Sequence, residues 1–219
     1  MLQDQLDALK ASFEETAPRQ AVAIMRRATA DLVASGLADR ALKAGDVAPA
    51  FALPDSAGGI VRSAGLLANG PLVIAFYRGV WCPFCNLDLQ ALEARTNDIR
   101  ARGAAFVAVS PQTQVNSRKA QADLKLSFPL LTDQGSEIAN AFGLRFRLPE
   151  DLLAVYKGLG VDLATINGEP SGALPMPARY VIGQDGLIVY GEVNPDYTRR
   201  PDPSVLLAPL ERLRPSHAA

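Results

Sequence analysis

The strongest constraint on the fold is an apolar run at residues 72–77, which is followed within a few residues by a helical pattern that starts at Pro83. An uninterrupted apolar run of this length is typical of a strand buried on both faces of a sheet. The only two cysteines of the chain, Cys82 and Cys85, lie at the junction between this strand and this helix. Two thiols at this spacing and in this position can form and break a disulfide, which indicates redox chemistry.

The order of elements after residue 71 predicts an α/β fold. The predicted strands are 72–77, 105–109 and 128–131, and they alternate with predicted helices at 83–101, 114–124 and 137–142. An Asp-Gly pair at 185–186 lies between two further apolar runs and predicts an antiparallel hairpin. A final helix is expected to begin at Ser204 as its cap. We therefore expect a central mixed sheet that is flanked by helices.

The chain divides into three parts by its hydrophobic pattern. Helical periodicity predicts an N-terminal helical extension at 1–44, followed by the main domain at 45–214 and a short tail at 215–219. Within the main domain, the less regular segment 145–176 reads as an insert with one amphipathic helix at 150–159. The apolar stripe of the extension allows it to pack on its own core or on a second copy in a homodimer.

Composition and charge exclude several classes of partner. The 22 basic and 23 acidic residues leave a net charge of −1, which provides no field for nucleic acid or anionic lipid. No apolar stretch approaches the ~20 residues that a membrane-spanning helix needs. Acidic residues interrupt the first 30 positions, where a signal peptide would be apolar. We therefore expect a cytoplasmic protein without nucleic-acid or membrane partners, in which two cysteines act in catalysis or redox sensing.

The spacing of the cysteines assigns them different roles. If Cys82 is the N-cap and Pro83 the first helical residue, the amides of Phe84 and Cys85 face the Cys82 sulfur, and the positive helix end favours the thiolate. Cys82 is then the attacking thiol. Cys85 lies one turn deeper on the same helix face and is expected to be the buried thiol that resolves the adduct. The expected cycle starts when Cys82 attacks an O–O bond or a disulfide, and it ends in a disulfide between the two cysteines.

The sequence predicts no metal and no organic cofactor. A zinc site needs about four ligands, and the only histidine, His217, lies in the tail. No phosphate-binding glycine loop and no flavin or nicotinamide fingerprint is present, so the two sulfurs themselves are the expected redox centre. Trp81 and Phe84 flank the first cysteine, and they either shield the sulfurs and shape a docking surface or only pack in the core.

Five segments resemble the thioredoxin-like superfamily, and more closely its peroxiredoxin branch, the alkyl hydroperoxide reductase and thiol-specific antioxidant group. They lie at 45–54, 76–85, 109–112, 131–133 and 176–182. The resemblance implies a thioredoxin-like fold and a peroxidatic role for Cys82. It also implies a thiol peroxidase that reduces hydrogen peroxide or alkyl hydroperoxides and is recycled by thioredoxin or a similar dithiol.

The chain departs from the peroxiredoxin pattern around the first cysteine. Gly79 and Ala75 stand where the family usually places a threonine and a proline. The family also sets an arginine on the facing strand, where this chain has Pro177, which resembles the cis-proline of thioredoxins. An arginine is available instead from Arg78 or Arg179, and Arg78 is favoured because it lies four residues before the cysteine.

Two alternatives to the peroxidase remain open. One is a thiol–disulfide oxidoreductase that acts on protein disulfides; Pro177 and the missing threonine favour it, whereas the absence of an acid from 71–78 counts against it. The other is a redox-sensing binding module whose helical extension docks a partner in one oxidation state only. The charged segment 196–201 is interpreted as a surface loop before the last helix.

Overall fold

A computed structural model of the protein describes residues 1–213. Its centre is a five-stranded mixed sheet that is flanked by helices, which confirms the predicted α/β class. None of the helices within these residues is long and apolar enough to cross a membrane. The predicted tail at 215–219 lies outside the described residues.

The helices fall into an N-terminal pair, a set that flanks the sheet, and two helices of the insert. In chain order they are α1 (Leu2–Thr16), α2 (Arg19–Ala34), α3 (Ser63–Leu67), α4 (Pro83–Glu93), α5 (Thr96–Arg100), α6 (Gln114–Asp123), α7 (Glu137–Ala141), α8 (Glu150–Gly158), α9 (Leu163–Asn167) and α10 (Leu207–Arg212). Short 3-10 helices lie at Leu37–Arg40, Gln134–Ser136 and Pro203–Leu206.

The strands form one central sheet and two small two-stranded antiparallel sheets. In chain order they are β1 (Ala52–Pro54), β2 (Ile60–Arg62), β3 (Leu72–Phe76), β4 (Ala105–Ser110), β5 (Leu130–Thr132), β6 (Arg145–Arg147), β7 (Ala173–Pro175), β8 (Ala178–Ile182) and β9 (Ile188–Val193). The central sheet has the order β5-β4-β3-β8-β9, while β1 pairs with β2 and β6 pairs with β7. Strand β3 is parallel to β4 and antiparallel to β8, so it lies at the centre of the sheet.

Strand β3 separates two hydrophobic cores because its side chains alternate between the two faces of the sheet. Val73 and Ala75 belong to the core beneath α4, whereas Leu72, Ile74 and Phe76 belong to the core on the opposite face. All five residues of the strand are buried. This burial explains the uninterrupted apolar run and fixes the position of the loop that leads from β3 into α4.

Two predicted helices differ from the structure in detail. The single helix expected at 83–101 is broken into α4 and α5. At the break, the Thr96 hydroxyl donates to the Leu92 carbonyl oxygen at 3.1 Å, a type of bond that bends helices. The last helical segment is capped by Asp202 and not by Ser204, because the Asp202 carboxylate accepts from the Ser204 amide and Pro203 fills the first helical position.

The N-terminal pair and the insert meet over the same end of the sheet. Helix α1 packs on α4, with Leu2 and Leu6 buried, and α2 packs on α8 of the insert. An ion pair joins Arg27 of α2 to Asp151 of α8. The insert is more regular than predicted, since it contains α9 and the antiparallel β6–β7 pair in addition to α8. These elements cover the end of β3 at which the cysteines lie.

Candidate active site

The loop between β3 and α4 is held from two sides by hydrogen bonds. The Val80 amide donates to Gln112 Oε1 at 2.8 Å, and Asn86 Nδ2 donates to the Val80 carbonyl oxygen at 2.8 Å. Gln112 is fully buried, and its amide nitrogen donates to the Tyr77 hydroxyl at 3.1 Å and to Ser117 Oγ at 3.2 Å. The position of the first cysteine is therefore set by the main sheet and by α6.

The cysteines have the predicted helical placement. Cys82 is the N-cap of α4 and Pro83 is its first residue, and both thiols are free and buried. The Cys85 amide donates to the Cys82 carbonyl oxygen at 3.0 Å, and the Cys82 side chain accepts no capping hydrogen bond. The sulfur therefore does not cap α4 by a hydrogen bond, although the Cys85 amide beside it still helps to lower the pKa of Cys82.

Arg78 provides a positive charge beside the Cys82 sulfur, in addition to the positive end of the helix that the sequence predicts. Its Nη1 lies 3.8 Å from Cys82 Sγ, and its Nη2 donates to the Tyr156 hydroxyl at 2.6 Å. The guanidinium lies 4.7 Å from the Trp81 ring centroid and 4.0 Å from that of Tyr197. Arg78 is buried, so its attraction to a thiolate is little screened by water.

The two thiols differ in acidity because Cys82 accepts a hydrogen bond from Cys85 and lies beside Arg78, whereas burial and Cys82 both act against ionisation of Cys85. Burial raises the pKa of the Cys82 thiol, but the hydrogen bond from the Cys85 thiol and the charge of Arg78 outweigh it and lower the pKa to about 6. Burial raises the pKa of Cys85 well above its ordinary value, and the neighbouring Cys82 raises it further. Cys82 is therefore ionised at neutral pH, while Cys85 keeps its proton.

A second charged cluster lies beside the deeper thiol. Asp88, one turn after Cys85 on α4, accepts hydrogen bonds from Arg179 Nη2 and from Arg200 Nε, the latter at 3.1 Å. Arg200 Nη2 lies 3.9 Å from Cys85 Sγ. Arg179 Nη1 donates to the Pro201 carbonyl oxygen at 3.0 Å, which holds the segment after β9 against the sheet. Buried arginines with this many partners have a fixed geometry.

The Cys82 sulfur opens onto an apolar chamber of about 240 Å³. The N-terminal helices contribute Phe13 and Met25 to its wall, and the insert contributes Tyr156 and Leu159. The chamber therefore exists only because the N-terminal pair and the insert close over the end of the sheet.

Comparison with known proteins places the chain in a family. The AhpC/TSA family matches residues 44–191, which is more than half of the chain. The chain belongs to the AhpC/TSA family.

Individual relatives agree with this assignment. Peroxiredoxin Bcp of Escherichia coli (strain K12) is 32% identical over 104 residues, which cover 47% of this chain and 65% of Bcp. The thiol-disulfide oxidoreductase ResA of Halalkalibacterium halodurans is 29% identical over 130 residues, covering 58% of this chain and 72% of ResA. The crystal structure of peroxidoxin BcpB from Mycobacterium tuberculosis superposes with a TM-score of 0.62 at 22% identity, covering 80% of this chain and 99% of BcpB.

The family match and the peroxiredoxin relatives identify the protein as a thiol-dependent peroxidase of the peroxiredoxin type, and the structural match shows a thioredoxin-like fold. Helices α1 and α2 precede the region that the AhpC/TSA family matches. The part of the chain that closes over Cys82 therefore includes a segment outside the family match.

The departure from the AhpC/TSA pattern at Gly79 has a structural reason. Gly79 has a φ of +137°, and a Cβ built on it would lie 2.5 Å from Trp81 Nε1. The indole of Trp81 therefore occupies the space that a threonine side chain would need. The half-buried Trp81 also packs on Tyr156, with ring centroids 5.2 Å apart, and the buried Phe84 packs on Tyr197 at 5.4 Å.

Two expectations from the sequence are wrong. No peptide bond within residues 1–213 is cis, so Pro177 is a trans proline; it lies just before β8 and its carbonyl oxygen accepts from the Asn194 amide. The segment 196–201 is not simply a surface loop, because Tyr197 contacts Arg78 and Arg200 contacts Cys85. Arg200 of this segment pairs with Asp88 and with a backbone carbonyl oxygen, which permits its burial.

Of the two arginines considered from the sequence, the structure brings Arg78 to the Cys82 sulfur and places Arg179 beside Asp88. Sequence reasoning missed Tyr156 and Arg200, which come from remote segments. It also missed Asp88, although the spacing of three residues from Cys85 places both on one face of a helix. That spacing was the one local signal for the second charged cluster.

Proposed function

We propose that the chain reduces organic hydroperoxides with Cys82 as the peroxidatic thiol and Cys85 as the resolving thiol of the same chain. The observation that carries this proposal is the contact between Arg78 and the Cys82 sulfur. A buried cation at this distance supports a thiolate, which is the nucleophilic form of cysteine. Cys85 on the next turn of α4 supports resolution without a second protein.

The chemistry has two steps. The Cys82 thiolate attacks the outer oxygen of the hydroperoxide, the O–O bond breaks, and the alkoxide takes up a proton and leaves as an alcohol, which produces a sulfenic acid on Cys82. Arg78 is placed to stabilise the charge that moves from sulfur to the leaving oxygen. Cys85 then attacks the Cys82 sulfur, the hydroxyl group leaves as water, and the disulfide closes.

The chamber supports a substrate with an apolar group. Hydrogen peroxide is little larger than water, which takes up about 30 Å³ in the liquid, so it would leave most of the chamber unfilled. An apolar alkyl or aryl group would instead bury its surface against Phe13, Met25 and Leu159. We therefore infer a preference for alkyl and aryl hydroperoxides over hydrogen peroxide.

Filling the chamber tests this preference. Met25→Trp reduces the volume beside Cys82 and is expected to lower the rate with cumene hydroperoxide about tenfold or more, while the rate with hydrogen peroxide changes little. Val115→Trp on the exposed surface of α6 is the matched control. Equal losses with both peroxides, or none with either, would contradict the assignment of the chamber.

A thioredoxin-type dithiol is the proposed reductant of the disulfide. Both cysteines are buried, so a mixed disulfide formed with an external thiol is hard for a second external thiol to reach, whereas a dithiol releases it with its own second sulfur. Peroxide turnover coupled to thioredoxin and its reductase is expected to exceed turnover with glutathione at equal thiol concentration. A cytoplasmic location and a homodimer remain predictions, which cell fractionation and light scattering test.

Stopped-flow measurement of peroxide consumption tests the cycle itself. Cys82→Ser is expected to abolish the reaction, and Cys85→Ser is expected to keep the first turnover and accumulate a sulfenic acid. Mass spectrometry of the wild type after one equivalent of peroxide is expected to show the loss of two hydrogens from the peptide that contains both cysteines. A wild-type rate no faster than that of free cysteine would refute the peroxidase.

A thiol–disulfide oxidoreductase is the second candidate, since the dithiol at the start of α4 and the likeness to ResA favour it. The Cys85→Ser variant separates the two functions. A peroxidase accumulates Cys82 sulfenic acid in dilute peroxide, whereas an oxidoreductase traps mixed disulfides with substrate proteins and shows no sulfenic acid.

A further inference from the structure

Arg200 directs one nitrogen at the deeper cysteine. Its Nη2 lies 3.9 Å from Cys85 Sγ, and both residues are buried. Its other nitrogens are engaged with fixed acceptors: Nε donates to Asp88 at 3.1 Å, and Nη1 donates to the carbonyl oxygens of Tyr197 at 2.9 Å and Arg199 at 2.5 Å. The guanidinium is therefore held in place by oxygens, and the sulfur is the partner of the remaining nitrogen.

The anchors of Arg200 come from several elements. Asp88 of α4 also accepts from Arg179 of β8, which in turn holds the Pro201 carbonyl oxygen. Gln3 of α1 accepts a hydrogen bond from the Arg200 amide at 3.0 Å. A charge fixed in this way needs no reorganisation when a neighbouring group becomes ionised, and this is the condition for effective electrostatic stabilisation in a reaction.

The charge around Cys85 changes during the proposed cycle. Burial raises the pKa of Cys85, and the ionised Cys82 raises it further, whereas Arg200 and Arg78 lower it. Once Cys82 is a sulfenic acid that carries its proton, it no longer opposes ionisation of its neighbour. The positive charges of Arg200 and Arg78 then act on Cys85.

Other ionisable groups near Cys85 do not remove this effect. Tyr77 of β3 stays neutral at neutral pH because burial raises the pKa of its hydroxyl. The Asp88 carboxylate is shared between two arginines. Glu192 of β9 lies near the same arginines, and burial raises the pKa of its carboxyl. The positive charge directed at Cys85 is therefore only partly offset.

We propose that Arg200 is a catalytic residue of the resolving step and stabilises the Cys85 thiolate after Cys82 has been oxidised. This rests on the proposed peroxidase cycle. In the step, the Cys85 thiol releases its proton, the thiolate attacks the Cys82 sulfur, and the S–O bond breaks. The hydroxide takes up a proton and leaves as water, the Cys85 sulfur is oxidised, and the sulfenic sulfur is reduced to the disulfide level.

The test separates the two steps in a single turnover across a range of pH. Arg200→Gln is compared with Arg199→Gln, a matched control because the Arg199 side chain is 62% exposed. Peroxide consumption reports the first step, and quenched-flow counting of free thiols reports the second. Arg200→Gln is expected to slow disulfide formation about tenfold or more and to move its pH midpoint upward by about one unit or more, with a smaller effect on peroxide consumption.

Equal rates and midpoints for disulfide formation in the Arg200→Gln and Arg199→Gln variants would overturn the proposal. Arg200→Lys keeps the positive charge and is expected to restore the midpoint, even if the loss of the fork to Asp88 lowers stability. A folded Arg200→Lys variant with the same upward shift as Arg200→Gln would also overturn it, because a structural role would then explain both variants.

A second measurement does not depend on peroxide turnover. In Cys82→Ser, a neutral hydroxyl stands in for the sulfenic acid, and thiolate absorbance then reports the ionisation of Cys85. The midpoint is expected to lie about one unit or more below that of Cys82→Ser with Arg200→Gln. Equal midpoints refute the role of Arg200, whereas a wild type that ignores peroxide refutes the proposed function alone.

Discussion

At the scale of single residues, the site depends on one arginine and one glycine that precede the first cysteine. Arg78 places its guanidinium between the Cys82 sulfur and three aromatic rings, those of Trp81, Tyr156 and Tyr197. Gly79 leaves room for the indole that forms one of these rings. This chain therefore has a glycine where the peroxiredoxin pattern has a threonine, and aromatic rings surround the arginine beside it.

Gly79→Ala is expected to destabilise the protein by about 1–3 kcal/mol, because a Cβ would clash with Trp81 and because a positive φ strains any other residue. Urea denaturation measures this change. Gly65→Ala is the control, since Gly65 lies in α3 with no atom within 4 Å of an added Cβ. If Gly79→Ala were as stable as this control, the close packing of Trp81 on the loop would be wrong.

At the scale of elements, the positions of strands and helices can be predicted from the periodicity of the sequence. The site residues that come from distant segments cannot be predicted in this way. The buried run of β3, the Pro83 start of α4 and the hairpin of β8 and β9 could be predicted because the signal lies within a few residues. Tyr156 reaches Arg78 from the insert, and its contact depends on how α8 packs against α2, which no local pattern encodes.

Tyr156→Phe is expected to remove the hydrogen bond to Arg78 and to keep the ring packed on Trp81. A buried donor without its partner costs about 1–3 kcal/mol, and more when it is charged, so we expect lower stability and a several-fold slower peroxide reaction. Tyr190→Phe on β9 controls for the loss of a tyrosine hydroxyl. Peroxide kinetics that match the Tyr190→Phe control would show that α8 does not position Arg78.

At the scale of the whole molecule, the N-terminal pair is part of the enzyme's core and also part of the chamber. Leu2 and Leu6 of α1 are buried in the same core as Cys82, and Gln3 bonds to the segment that carries Arg200. The sequence predicted the helices of the extension from their periodicity. It did not predict their position over the active site, because an apolar stripe does not specify which surface it covers.

Leu6→Ala is expected to lower the free energy of unfolding by about 2–5 kcal/mol, as for other buried leucines. We also expect a single unfolding transition, because α1 shares its core with the central sheet. Val33→Ala, at an exposed position of α2, is the control and is expected to change little. A separate early transition for α1 would contradict the view that the extension and the sheet form one unit.

The central claim is that Arg78 keeps the Cys82 sulfur ionised at neutral pH, and titration of thiolate absorbance in Cys85→Ser tests it most directly. In the intact site the hydrogen bond from the Cys85 thiol and the charge of Arg78 lower the pKa of Cys82 to about 6, so the thiolate and the peroxide reaction are present above that pH and lost as the pH falls through it. In Cys85→Ser the serine hydroxyl still offers a hydrogen-bond donor to the sulfur, so the titration reports mainly on Arg78. The same titration in Cys85→Ser with Arg78→Met is expected to return the midpoint towards ~8.5. A midpoint above about 8 with Arg78 intact would contradict the account.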